Sequence, residues 1–421
     1  MFRRQVGGKR RMALWILGAL ALWVTVGIGT DTNAQGKSGT SAQEKKVRIG
    51  ALLPLTGPMA KFGEDARRAI QLVEEQINQQ GGIRSMGGAK VEVVYADHQA
   101  RPDVGMAETG RLIEKEKVSA VFDFPPSAVT LPASMVAEKL RTPYYCGISY
   151  ADAITERGFK YVFEQVPTAF FVAKAQIEFL DYLGKRVGRK LSKVGLLYED
   201  TDYGKSLAAG YKEILPAMGF TVAADVAYPA KTPNLDPYLI RLKSAKPDAV
   251  LQGNYLADTI LLTKAADKLD LNIPFVDSGG RQSPAYLKAV GSLAEGEVSL
   301  AYWNRDIRVP ASEQLVRKFE SRYKEAAEST HGLYFQVMLT LKAALERAGS
   351  ADPEALRKAL SEIEITPGPN LVLPYPKIKF NEKGLNTTGS FLVTQIKNGV
   401  FVTVWPEKFA TEPFTNIKGW K

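Results

Sequence analysis

Ile49-Gly50-Ala51-Leu52-Leu53-Pro54-Leu55-Thr56-Gly57-Pro58 is the stretch that decides how this chain folds. An apolar run broken by Pro, Thr and Gly reads as a buried strand that stops abruptly. Phe62-Gly63-Glu64-Asp65 leads from it into Ala66-Arg67-Arg68-Ala69-Ile70-Gln71-Leu72-Val73, whose apolar residues recur at three- and four-residue spacing. That spacing predicts a helix with one buried face, and Gly81-Gly82-Ile83 closes the unit with a turn. A strand, a tight turn and a helix leave the turn exposed at the strand's carboxyl end, where α/β sheets hold their ligands. The stretch therefore predicts a pocket before it names an occupant.

Residues 1–34 read as an address. Arg3, Arg4, Lys9, Arg10 and Arg11 precede an uncharged stretch from Met12 to Gly29, and Thr32-Asn33-Ala34 follows at the spacing of a cleavage site. This is the layout of a secretory signal peptide. The apolar stretch also reaches the lower limit of a membrane span, so retention as an anchor is the alternative. Cys146 is the only cysteine and lies far from this region, which excludes a lipid-attachment cysteine after the signal. Arg3-Arg4, distant from the apolar run and poorly matched around it, leaves twin-arginine export as a lesser alternative. The expectation is a soluble, exported protein.

Without residues 1–34, which carry five basic side chains and Asp31, the formal charge of +10 falls to +6. Basic and acidic residues alternate along predicted helices, as in Glu114-Lys115-Glu116-Lys117 and Arg317-Lys318-Phe319-Glu320. Such runs form solvated faces. No Lys/Arg cluster is interleaved with aromatics, so nucleic acid is not an expected partner. A single cysteine excludes an internal disulfide, and stability must come from core burial in a chain long enough for two lobes.

After a flexible lead-in at 35–45, strands and helices alternate. Strands are predicted at 91–96, 120–124 and 144–148, with helices at 104–117 and 128–140 between them. The cycle restarts after Phe163-Glu164-Gln165-Val166-Pro167 with a helix at 170–183. Strands at 194–198, 221–227, 249–252, 274–277 and 298–302 then enclose helices at 205–218, 237–244 and 259–269. This alternation implies right-handed βαβ units and parallel sheets, and two such runs imply two similar lobes. The remainder differs, with helices at 313–328 and 334–348 and then strand-like segments at 377–380, 391–396 and 400–405. Asn398-Gly399 predicts a hairpin between the last two.

The ordered series Gly50–Pro58, Gly81-Gly82-Ile83, Tyr95-Ala96-Asp97, Ser127, Pro132-Ala133-Ser134, Ile154–Phe159 and Asp202-Tyr203-Gly204 resembles one family. It is similar to the substrate-binding proteins of ABC importers of the branched-chain amino-acid (leucine–isoleucine–valine) type, over about residues 46–400. The resemblance implies the type I periplasmic-binding-protein fold, an α/β architecture of two doubly wound parallel-sheet lobes joined by a three-segment hinge. Residues 46–166 plus 303–386 would form the first lobe and 167–302 plus 387–421 the second, with crossings near Val166, Trp303 and Asn386. It further implies a non-enzymatic, periplasmic, monomeric protein without cofactor. Such a protein would deliver a small carboxylate-bearing solute, an amino acid or related organic acid, to an importer permease. A sensor that presents its ligand to a signalling receptor is the alternative on the same fold.

The resemblance also places a site, and each position has a plainer reading. Ser127 opens a helix, where it can cap the backbone or offer its hydroxyl to a ligand carboxylate. Ser149 and Tyr150 match positions that complete that carboxylate site, although the family usually has a small residue or threonine where Tyr150 stands. Phe62 matches an aromatic wall, or serves as a hydrophobic staple. Tyr203 and Tyr255 match second-lobe contacts, or are half-buried surface tyrosines. The family's acidic partner for a ligand ammonium falls near Gly279, leaving Asp277 or Asp258 to reach in, or to cap a helix instead. If neither does, the ligand is an acid or amide without an amine, and Arg281 becomes a candidate carboxylate partner. His98 in a loop and His331 between helices make no metal site, and Cys146 reads as a small core residue. No Gly-x-Ser-x-Gly, Gly-x-Gly-x-x-Gly or P-loop pattern supports an enzyme.

Overall fold

The computed structural model describes residues Lys45–Thr415, so the signal segment 1–34 and all of the lead-in except Lys45 lie outside the described residues. β1 (Lys46–Leu53) opens the first sheet. α1 (Ala60–Gln79), β2 (Lys90–Asp97), α2 (Pro102–Glu114), β3 (Val121–Asp123), α3 (Ser127–Lys139), β4 (Tyr144–Cys146) and β5 (Val162–Glu164) follow. The strands pair in the order β2-β1-β3-β4-β5, all parallel. The order reverses between β1 and β3, so the turns that leave these strands border a crevice. α1 turns Ala66, Ala69, Ile70, Val73 and Ile77 into the core. Each of its larger aliphatic side chains contributes about 2 kcal/mol by burial.

The same winding recurs in the second sheet. α4 (Ala169–Arg186), β6 (Lys193–Glu199), α5 (Asp202–Ala217), β7 (Thr221–Tyr228), α6 (Asp236–Ala245), β8 (Ala249–Gly253), α7 (Leu256–Lys268), β9 (Phe275–Asp277), α8 (Pro284–Val290) and β10 (Val298–Ala301) follow in sequence. Their parallel strands pair in the order β7-β6-β8-β9-β10. The expected α/β class with two parallel sheets is borne out.

The rest of the chain serves both sheets. α9 (Pro310–Tyr323), α10 (Ser329–Ala348) and α11 (Pro353–Glu362) come next, and α10 packs along α1. β11 (Glu364–Ile365) pairs with β12 (Ile378–Lys379) in a small antiparallel sheet. β13 (Leu392–Lys397) and β14 (Val400–Trp405) then extend the second sheet antiparallel beyond β10. Asn398 and Gly399 both have positive φ, as the two-residue turn between these strands requires.

The chain thus leaves the first sheet after β5, returns after β10 to helices packed on α1, and joins the second sheet again at β13. Asn386 ties the first and last of these passages together. Its N–H donates to the Glu164 carbonyl at 3.0 Å and its Nδ2 to the Gln165 carbonyl at 2.9 Å. Trp303, on the middle passage, is wholly buried and donates its indole N–H to Ser312 Oγ at 2.7 Å. His331 corrects an expectation: it is not between helices but in the first turn of α10. There its Nδ1 accepts the Glu328 N–H at 2.8 Å, closing a capping box.

Candidate ligand-binding site

At the carboxyl ends of β3 and β4 a knot of hydroxyls is buried. Ser127 is the first helical residue of α3 and Pro126 holds the capping position, so Ser127 does not cap the helix. Its Oγ instead accepts the N–H groups of Tyr150 at 3.2 Å and Ala151 at 3.3 Å, pinning the loop after β4 against α3. Both lone pairs are then engaged, and the hydroxyl proton remains to be donated. Ser149 Oγ lies 2.6 Å from Thr130 Oγ1, and Thr130 donates in turn to Asp123. With Thr130's proton given to Asp123, Ser149 must donate to Thr130, so its own proton is already used. Tyr144 also donates to Asp123, at 2.9 Å. Burial pushes the Asp123 carboxyl up to about 6, against these donors that stabilise its charge. Sequence reading did not single out Thr130 or Asp123.

Tyrosines from both halves of the molecule meet beside this knot. Tyr150 lies in the loop after β4, Tyr203 in the first turn of α5, and Tyr255 at the N-cap of α7. The Tyr150 and Tyr203 ring centroids are 5.4 Å apart, and those of Tyr203 and Tyr255 5.8 Å. Tyr302 stacks on Tyr150 at 5.3 Å, and its buried hydroxyl has no hydrogen-bond partner. Tyr302 was missed, although its place just after β10 was a signal, because ligands gather where parallel strands end. Each such ring pair contributes about 1 kcal/mol beyond its burial. Phe62 stands apart from these tyrosines, half-buried and stacked on Phe124 at 6.2 Å.

Tyr203 is held from behind. Its hydroxyl donates to Ser278 Oγ at 2.8 Å, and Thr201 accepts the Gly204 N–H at 3.3 Å to cap α5. A side chain at Gly204 would put its Cβ 1.9 Å from the Glu199 carbonyl, so only glycine lets the helix start this close to β6.

Asp277 and Arg281 are engaged by the fold itself. Asp277 is wholly buried and both of its oxygens are engaged within the fold. Gln252 donates to its Oδ1 at 2.6 Å, while the Gly279 and Arg281 N–H groups at 2.9 Å and Ser299 at 2.5 Å donate to its Oδ2. It is a strand-end clasp for the turn after β9. Arg281 is equally committed. It is fully buried, paired with Glu297 at 3.0 Å and bonded to the Val298 carbonyl at 3.1 Å, so it does not serve a ligand carboxylate. Asp258, in the first turn of α7, is buried.

A cavity of ≈ 310 Å³ is lined by Asp152 and Glu156 of the first half and by Phe170, Phe171, Ser206 and Glu213 of the second. A smaller one, ≈ 60 Å³, lies at the opposite end of the second sheet, near Asp270 and Glu297.

Two doubly wound sheets, a crevice between their strand ends and aromatic rings meeting across it define a two-lobed solute-binding protein. The chain matches the periplasmic binding protein family over residues 46–400, and it belongs to that family. It is a substrate-binding transport protein and not an enzyme. The Leu/Ile/Val-binding protein homolog 7 of Brucella melitensis biotype 1 is 29% identical over 387 residues, covering 89% of this chain and 94% of the relative. A leucine binding protein from Thermotoga maritima has the same fold, with a TM-score of 0.75 at 22% identity over 85% of this chain and 97% of that one. So does a solute binding protein of an ABC transporter from R. palustris, solved in complex with benzoate. Its TM-score is 0.73 at 20% identity, over 89% of this chain and 99% of that one.

Proposed function

We propose that this protein captures a small carboxylate-bearing solute between its lobes in the periplasm and delivers it, as a monomer, to the permease of an ABC importer. The observation that carries this reading is the meeting of Tyr150 with Tyr203 beside a hydroxyl, on Ser127, whose proton is uncommitted. Ser127 donates to the solute carboxylate, and the Tyr150 and Ala151 N–H groups swing from Ser127 Oγ to the carboxylate as it arrives. Tyr150, Tyr203, Tyr255 and Tyr302 enclose the apolar part. Phe62 closes the first-lobe side, and Ser149 acts indirectly by holding the loop. Lobes that hinge near Val166, Trp303 and Asn386 make the closed form the species that the permease reads. The relatives named for leucine, and the relative holding benzoate, are consistent with a carboxylate as the shared element.

Calorimetry against leucine, isoleucine, benzoate and phenylacetate tests this, on wild type and Ser127→Ala. At least one of them binds wild type, and the substitution weakens that binding by about tenfold or more, as loss of a charge-assisted hydrogen bond requires. Equal affinity in the two proteins would remove Ser127 from the site.

A further inference from the structure

The hydroxyls beside the proposed carboxylate site are joined to a buried carboxyl. Asp123, at the end of β3, is wholly buried, and among the described residues no lysine or arginine pairs with it. Thr130 and Tyr144 donate to its Oδ2, and the Gly147 N–H reaches its Oδ1 at 3.4 Å. Thr130 Oγ1 also lies 2.6 Å from Ser149 Oγ, and both hydroxyls are buried. Asp123, Thr130 and Ser149 thus form one continuous chain of oxygens closed off from solvent. Its far end directly precedes Tyr150, whose N–H is held on Ser127 Oγ at 3.2 Å.

A chain of hydroxyls has a direction, because each donates a single proton. An ionised Asp123 only accepts, so the chain runs from Ser149 to Thr130 to Asp123 and consumes the Ser149 proton. A protonated Asp123 has a proton of its own to give to Thr130. Both hydroxyls then rotate, Thr130 donates to Ser149, and the Ser149 proton is released at the solute end. Tyr144 donates to the carboxyl in either state. The reversal takes one proton from solvent and moves no heavy atom.

The groups packed around Asp123 leave it as the one that changes charge. Cys146 on β4 and Glu164 on β5 stand in the same row of side chains, as register partners across parallel strands do. Burial raises the Cys146 thiol and the Glu164 carboxyl well above their ordinary values and keeps both neutral. Tyr144 is raised likewise, as is Tyr334 of α10, which donates to the Asp123 carbonyl at 2.6 Å. Leu52, the register partner on β1, carries no charge. His98 meets the Phe124 carbonyl at 3.0 Å, and burial holds its ring neutral by pulling it down to about 4.

Resting on the solute-binding reading above, we propose that Asp123 and Thr130 are positioning residues that couple solute capture to the uptake of one proton. With Asp123 neutral, Ser149 joins Ser127 in donating to the solute carboxylate, and a like charge is removed from beneath it. Capture is therefore tighter in mildly acidic surroundings, and bound solute in turn raises the proton affinity of Asp123.

Calorimetry with leucine, isoleucine, benzoate and phenylacetate between about pH 5.5 and about pH 7.5 tests this, since free carboxyls titrate at about 4 and the probes stay charged throughout. For whichever probe binds wild type, the affinity should be about tenfold higher at the acid end, the scale of one charge-assisted hydrogen bond. Binding heats in buffers of different ionisation enthalpy should show net proton uptake. Asp123→Asn, whose amide donates to Thr130 at every pH, should hold the acid-end affinity throughout and take up no proton. Ser149→Ala should be equally flat, at the weaker alkaline-end affinity. Thr130→Ser, which preserves the chain, should keep the wild-type slope. A wild-type affinity that does not vary with pH overturns the coupling and leaves the carboxylate reading standing. So does a slope that persists in Asp123→Asn or Ser149→Ala, or an Asp123→Asn profile that is flat at the weaker level. Binding of none of the four compounds counts against both readings together. The wild-type profile needs no variant to fold, and thermal melting confirms that each variant is native.

Discussion

Glu199 shows how one buried side chain ties stability to pH. Burial, followed by the neighbouring Asp258 charge, pushes its carboxyl from 4.5 up to about 7. Between those values the folded state binds more protons than the unfolded one, so this group makes stability fall as pH rises. Its penalty is absent below 4.5 and complete above about 7. Urea melts across that window should show wild type losing about 2 kcal/mol relative to Glu199→Gln. Parallel pH profiles for the two proteins would mean that Glu199 ionises as freely folded as unfolded. Glu328 and Asp123 are also raised, to about 7 and about 6, so the difference between the two proteins, not the wild-type slope, is the quantity to read. At this scale the chain's order was a partial guide. Ser127, Tyr203 and Tyr255 stand out because they follow strand ends, whereas the engagement of Asp277 depends on Gln252 and Ser299, which come from the two strands beside it.

α10 is the element most confined by its surroundings. From Thr330 to Leu341 all its residues are buried, as in a helix that is covered on every side. Gly332 lies against the Trp303 indole, and a Cβ there would come within 2.1 Å of the ring. Gly332→Ala therefore displaces Trp303 or α10 and should cost about 2–4 kcal/mol in chemical denaturation. A loss below about 0.5 kcal/mol would show that the indole can yield, as exposed substitutions do. Trp303 sits on the middle passage between the lobes, so the same variant should also perturb solute affinity. Helix and strand boundaries at this scale were largely legible from periodicity. α8 and α11 were not, although Ser283-Pro284 and Asp352-Pro353 carry the capping signals that open them. Both helices are too short for an amphipathic repeat to stand out from their flanks.

For the molecule as a whole, a solute held as proposed between Tyr150 and Tyr203, whose rings meet at 5.4 Å, would enter only when the lobes part. Closure about three passages is then a shift between open and closed populations that the solute biases by touching both sides. Small-angle X-ray scattering should show a radius of gyration that falls when a bound solute saturates the protein. The saturated profile should match the arrangement in which Tyr150 meets Tyr203. An unchanged profile on saturation would rule out hinge closure as the delivery signal. Asn386, bonded to both Glu164 and Gln165, ties two of the passages together and restricts how they move apart.

Reading the residues in order establishes the α/β class, the repeated winding, the hairpin at Asn398-Gly399 and the crevice beyond the Ile49–Leu53 strand. Each of these follows from periodicity, turn chemistry and capping within a short span of chain. Packing alone assigns the charges. Asp277 and Arg281 look available in sequence, yet each meets its partners from adjacent strands and is spent on the fold. Glu199 and Asp258 look like ordinary strand-end and helix-start acids, yet packing buries both. Whether an ionisable side chain is satisfied depends on distances across the sheet, and those exist only once the strands have taken their order.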